Sequence, residues 1–185
     1  MQASDHATIP RRKRLQLQDS LEQFLAQVAR RGSWVGGGSV AALSAALAAA
    51  LLEKLVTQQP KARRLQRIRR DCLRLIHQDA RAFARVIAAT RGSDHRAFQR
   101  TLQPATEVPC QVAERAEMVR VMCRASARAI KPRFQSDLKC ADALASAART
   151  SARALITTNV VCLDNPVYAK AVQRRLRSAA RRHAR

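Results

Sequence analysis

Apolar residues recur along this chain at helical rather than strand spacing. Leu21, Phe24, Leu25 and Val28 share one face of a segment that starts near Asp19 or Ser20. There Ser20 and Gln23 form a capping box, and the segment stops around Gly32. Three glycines, Gly36 to Gly38, then lead to Ser39 as the expected N-cap of a helix reaching Gln58. Leu43, Leu47, Leu51 and Leu55 recur every four residues in it, and alanine covers the other sides. A helix apolar all round is expected to be buried all round, at the centre of a bundle or in a subunit interface.

Pro60 breaks the pattern. Residues 61–90 then form one long amphipathic helix. Leu65, Ile68, Cys72, Leu75, Ile76, Asp79, Phe83, Val86 and Ile87 lie on one side and arginines on the other. The turn "RGSD", with Ser93 or Asp94 as cap, opens a short helix to about Gln103. Another helix follows from Pro104, kinked or restarted at Pro109, and carries Val112, Ala116, Val119 and Cys123 inward. An alanine-rich helix runs from Gln135 to Leu163, and Pro166 opens the last one. No run alternates with period two. The expected fold is an all-α bundle of six or seven helices. It divides into a basic arm at 1–18, a helical domain at 19–168 and an arginine-rich C-terminal helix or tail at 169–185.

Composition narrows this picture. With 185 residues and 47% apolar content, the chain can bury a real core and is no disordered polycation. The formal net charge is +22, and arginine greatly outnumbers lysine. Such a field draws nucleic acid, acidic lipid or small polyanions. "RRKR" at 11–14 and "RRLRSAARRHAR" at 174–185 are the candidate nucleic-acid-binding ends. Six aromatics are too few for a base-stacking platform. Residues 35–52 carry no charge and reach the length of a membrane span. Alanine, glycine and serine dominate them, so no membrane association is expected. The five cysteines are odd in number and form no CxxC, which reads as reduced thiols in a cytoplasmic protein. The four histidines are dispersed, and no metal site is expected.

Polar residues on apolar faces are the candidates for chemistry, because burying them costs free energy unless they are paired or used. Asp71, with Arg67 and Arg74 nearby, and Asp142, with Lys139 and Arg149, read as surface pairs. Asp79 differs, lying among Cys72, Leu75, Ile76, Ala82, Phe83 and Val86. Asp137 shares a face with Ala141, Leu144 and Ala148, and Asn159 sits among Leu155, Ile156, Cys162 and Leu163. Each also has a structural reading, as a cap or a buried hydrogen bond. Asp137 with Ser136 could simply cap its own helix. His77, half-buried beside Asp79, reads as structural. "GGGS" before a helix could cradle an anion, or only permit a close helix crossing.

Four blocks in order resemble the cyclodeaminase/methenyltetrahydrofolate cyclohydrolase family, which includes the cyclodeaminase part of formiminotransferase-cyclodeaminase. They are "FLAQVARRGSWVGGGSVAALSAALAAALLEKLV", "QDARAFARVIAA" at 78–89, "ATEVPCQVAERA" at 105–116 and "QSDLKCADALASAARTSARALITTNVVCL" at 135–163. Ser33-Trp34-Val35 replace the family's usual prolines before the glycines, and "QQPK" keeps only Lys61 of a Gly-Lys pair. The resemblance implies an all-helical homodimer acting on a tetrahydrofolate derivative, with no cofactor beyond that substrate. The implied reaction is cyclisation of 5-formiminotetrahydrofolate with loss of ammonia, or interconversion of 5,10-methenyl- and 10-formyltetrahydrofolate. It also implies that Gly36, Gly37, Gly38, Ser39 and Lys61 help bind substrate, that Asp79 and Asp137 are catalytic, and that Asn159 supports an acid. The competing reading is a catalytically silent helical scaffold that binds nucleic acid or an acidic partner. Convergence of Asp79 and Asp137 beside Gly36–Ser39 separates the two.

Overall fold

Helix formers continue without interruption from Arg11 to Ala29, with no glycine or proline among them. In the computed structural model, which describes residues 11–92 and 94–182, they form one helix, α1 (Arg11–Ala29). The helix therefore starts eight residues before Asp19, Ser20 lies inside it rather than capping it, and the expected arm boundary at residue 18 cuts through it. The first ten residues of that arm, Ser93, and the last three residues of the tail lie outside the described residues. Leu21 and Leu25 of α1 are exposed.

The chain divides into two units, one ending at Ser33 and one starting at Trp34. The second holds α2 (Gly37–Leu55), α3 (Gln59–Thr90), α4 (His95–Ser126), α5 (Gln135–Val161) and α6 (Pro166–Arg182), with a 3-10 turn at Pro132–Phe134. No strand occurs among the described residues. The all-α expectation holds, at its lower count of six helices, because α4 continues through both prolines.

In α2 the alanines and Leu52 face inward, and the leucines spaced every four residues do not. Ala41, Ala42, Ala45, Ala46, Ala48 and Ala49 are buried, whereas Leu47 is 50% exposed and Leu43, Leu51 and Leu55 are half-buried. This corrects the expectation of burial all round. Helix separation depends on the side chains at the contact, and methyl groups let α3, α4 and α5 close in on α2. Leu43, Leu47, Leu51 and Leu55 are turned toward the outer side, while Leu52 stays in the core. By length and composition α2 could cross a membrane, yet half of it is buried inside the protein.

Two further contacts explain α4. Pro109 has no N–H, so it frees the carbonyl of Ala105 one turn earlier. The Asn159 Nδ2 of α5 donates to that carbonyl at 3.2 Å. At the start of α4, Asp94 is the N-cap and accepts from the Ala97 N–H at 3.0 Å. Further along, Glu117 is buried within 3.4 Å of Arg120, Arg124 and Arg149, tying α4 to α5. Asp142 meets Arg120 at 3.5 Å, not the expected Lys139 or Arg149. Arg175 holds α6 to Glu107 and Glu114 of α4. The cysteines are free thiols, and Cys72, Cys110 and Cys123 are buried.

Candidate active site

Helix α2 opens without a cap of its own. Its N-cap is Gly36, not Ser39, and no side chain of the cap bonds the first turn. The free N–H groups there form the positive end of the helix macrodipole. The carboxylate that meets them comes from α3. Ser39 Oγ donates to Asp79 Oδ2 at 2.8 Å, and the Ser39 N–H also donates to the Asp79 carboxylate. The same hydroxyl reaches the Ile76 carbonyl at 3.3 Å. The anion that the glycine turn cradles is thus the protein's own Asp79.

Gly38 makes this approach possible. A β-carbon at position 38 would lie 2.0 Å from Asp79 Oδ1 and 2.5 Å from its Cγ, so only hydrogen fits. The neighbouring glycines are under no such demand. A β-carbon on Gly37 would touch Leu155 at an ordinary 3.9 Å, and one on Gly36 would meet nothing within 4 Å. Of the three glycines expected to shape a pocket, only Gly38 is fixed by close contact.

Burial pushes the Asp79 pKa above the ordinary carboxylate range, while the Ser39 hydroxyl and N–H pull it back only in part. Among the described residues, no cation pairs with it. Asp79 is therefore a sheltered carboxyl group solvated by neutral donors, with its proton affinity raised. That is the condition a general acid or base needs. The three buried cysteines are pushed the other way for reactivity. Burial raises their pKa values to about 12, so they persist as thiols rather than nucleophilic thiolates. His77 is exposed, not half-buried.

The remaining expected site residues do not join Asp79 within one chain. Asp137 lies in the first turn of α5, where Phe134 rather than Ser136 or Asp137 is the N-cap. Its Oδ2 is 3.5 Å from Lys54 Nζ, in the last turn of α2. Lys54 is fifteen residues past Ser39, roughly 22 Å along the helix axis. Lys61 lines a small recess with Leu55, Val56, Ser126 and Ile130, also beyond the C-terminal end of α2. Asn159 supports the α4 carbonyl that Pro109 frees, not an acid. The expected convergence of Asp79 and Asp137 beside Gly36–Ser39 does not occur in the single chain, because α2 stands its full length between them.

A cleft of about 350 Å³ runs between α3 and α4 and begins at Gln78, the residue before Asp79. Arg81 and Arg85 line one wall, and Pro104, Glu107 and Gln111 line the other. Sequence reasoning passed over Glu117. Its signal was Arg120 and Arg124 on following turns, which reads equally well as a solvated ion pair.

These features define a class: helical bundles in which a glycine-led alanine helix receives an acid from the next helix at its N-terminus. The chain belongs to the formiminotransferase-cyclodeaminase family, whose model matches residues 20–178. Its fold is similar to the crystal structure of formiminotetrahydrofolate cyclodeaminase from Thermotoga maritima, with a TM-score of 0.82 over 89% of each chain and 21% sequence identity. No curated protein sequence matches the chain significantly.

Proposed function

We propose that the chain is a folate one-carbon enzyme of the cyclodeaminase or cyclohydrolase type, with Asp79 as its acid–base group. The observation that carries this is the Asp79 carboxyl, held by Ser39 against Gly38 with no cation beside it among the described residues. In the cyclodeaminase direction, N10 of 5-formiminotetrahydrofolate attacks the formimino carbon, and the N10 proton passes to the formimino nitrogen. Neutral Asp79 then gives a proton to the departing nitrogen, which leaves as ammonia. In the cyclohydrolase direction, ionised Asp79 takes a proton from the water that adds to the methenyl carbon. Its charge also stabilises the cationic methenyl group. Burial raises the proton affinity of Asp79, which favours the protonated form that the acid role uses.

The working form of this reading is a homodimer. Val40 and Leu47 leave an apolar row of α2 uncovered, flanked by half-buried Leu43 and Leu51. Leu47 stands midway between Ser39 and Lys54. A two-fold contact centred on it, with the two α2 helices antiparallel, sets Asp79 of one copy near Asp137 and Lys61 of the other. The direct test is absorbance-monitored turnover of methenyl- and formiminotetrahydrofolate. Catalysis of either by the wild type supports the reading, and catalysis of neither sinks it. The separation of Asp79 from Asp137 in the single chain favours the second reading, a silent scaffold. A chain that stays monomeric and inactive on both substrates selects that one.

A further inference from the structure

A small substrate leaves the charge of this protein unused, and the structure sorts that charge unevenly. Several arginines of the helical unit meet carboxylates: Arg120, Arg124 and Arg149 at Glu117, Arg175 at Glu107 and Glu114, and Arg69 at Glu53. One face of α3 carries a continuous row that mostly does not. Arg63, Arg67, Arg70, Arg74, Arg81 and Arg85 recur every three, four or seven residues, with His77 filling the longest gap, and all seven are exposed. At about 100° per residue they fall within a sector roughly 80° wide, along about 33 Å of helix axis. On α3 itself one carboxylate borders the sector: Asp71, which bonds Arg74 and also Arg115 at 3.1 Å. Glu107 of α4 lies across the cleft from Arg81 and Arg85. Arg70 reaches only Gln66, and Arg63, Arg67, Arg81 and Arg85 make no ion pair among the described residues. Like charges one turn apart repel and weaken a helix, so a row of this length works against stability unless a polyanion lies along it.

We infer that this face of α3 binds the phosphate backbone of a nucleic-acid duplex without reading its sequence. A duplex presents a charge about every 1.7 Å of its axis, which suits a straight, rigid row of cations. Guanidinium groups meet phosphate oxygens in paired hydrogen bonds, which an ammonium does not do. Single strands are bound by stacking, and no Phe, Tyr or Trp lies in the sector: Phe83 is on the opposite side of α3. A membrane surface is bound by helices that insert an apolar face. The apolar face of α3 (Leu65, Ile68, Cys72 and Leu75) is buried in the core.

The test is fluorescence anisotropy of the full chain with a mixed-sequence DNA duplex of about 30 base pairs, in salt from about 50 to 200 mM. Arg63→Gln/Arg67→Gln/Arg70→Gln is compared with Arg96→Gln/Arg128→Gln/Arg153→Gln, which removes the same charge from exposed sites elsewhere. The stripe variant is expected to lose about tenfold or more in affinity near 150 mM salt. Its log–log salt slope should flatten by roughly 2 to 3, one for each lost phosphate contact, while the control keeps the wild-type slope. Equal losses in the two variants overturn the assignment to α3. So does the absence of wild-type binding to the duplex. Stronger competition by an equal length of single strand, or by phosphatidylserine vesicles, overturns the choice of ligand.

Discussion

The two ends of α2 each meet an aspartate, and the two aspartates are opposites. At the N-terminal end, Asp79 is sheltered, touches Gly38 and accepts from Ser39, and its pKa is raised by burial. At the C-terminal end, Asp137 is partly exposed and shares solvent with Lys54 at 3.5 Å. Both stood out on sequence grounds as acids on an apolar helical face, Asp137 with the further reading of a helix cap. The difference comes from what each helix terminus offers. An N-terminus supplies free N–H donors, so a carboxylate can be buried there without a cation. A C-terminus supplies carbonyls, so the acid near it keeps to solvent and takes a lysine as partner. The first arrangement moves the proton affinity of a carboxyl toward that of a working acid or base.

Replacing the sheltered acid should have the largest effect. Asp79→Asn keeps the shape and should lower kcat by about 10²- to 10⁴-fold, the range for loss of a general acid or base. Its stability should behave oppositely. The folded pKa of Asp79 lies above its unfolded value, so the folded state holds the proton to higher pH. Wild-type stability therefore falls as pH rises through that window, and recovers relative to Asp79→Asn as pH is lowered toward the unfolded value. Urea midpoints of both proteins between about pH 7 and pH 4 check this. A gap that stays constant with pH means that Asp79 is not the poised group described here.

Asp137→Asn should cost about tenfold in turnover, the size expected for one lost charge contact worth about 1.4 kcal/mol. The more informative experiment mixes it with Asp79→Asn. If α2 pairs antiparallel across a two-fold axis, each mixed dimer has one site with both aspartates. Random reassortment then restores roughly a quarter of wild-type activity, well above the mean of the two parents. A mixture that only averages its parents makes the two ends of α2 functionally unrelated. A Leu47→Asp chain should be monomeric by light scattering and gain nothing from mixing.

Much of this fold was legible because helical period, proline and glycine positions are local signals. The cap at Asp94, the opening of α6 at Pro166 and the inward face of α3 up to Leu75 all follow from them. So did the singling out of Asp79, an acid where the period called for a hydrophobe. What failed was not local. Leu43, Leu47, Leu51 and Leu55 of α2 promised burial by their hydrophobicity, but the neighbouring helices close in on the smaller alanines. Asn159 looked like a site residue because its actual partner is a carbonyl freed by Pro109, on another helix. Asp137 could be placed on a face of α5, but no spacing rule says which end of α2 that face meets. Within the glycine turn, periodicity could not say that only Gly38 touches the acid.

Ser39→Ala is a smaller step at the same end. It removes the hydroxyl that favours ionised Asp79 and leaves the N–H, so the Asp79 pKa should rise further. The limb of the pH–rate profile that reports Asp79 should move to higher pH, whichever protonation state the reaction uses. Stability should fall by about 1 kcal/mol, the value of one ordinary hydrogen bond. A limb that stays in place disconnects Ser39 from the acid.

Lys54→Ala should have the smallest effect of all, and its smallness is the point. Its side chain is 66% exposed and that of Asp137 is 38% exposed, so solvent and salt screen the pair. Exposed pairs of this kind are worth about 0.2–1 kcal/mol, and the first-turn position of Asp137 on α5 partly stabilises its charge without the lysine. The melting temperature should move by about 4 °C at most, and less still in high salt. A loss well above 1 kcal/mol that persists in high salt means that the C-terminal end of α2 is itself a built electrostatic site. The two ends then differ in chemistry but not in kind, and Asp137 regains a claim equal to that of Asp79.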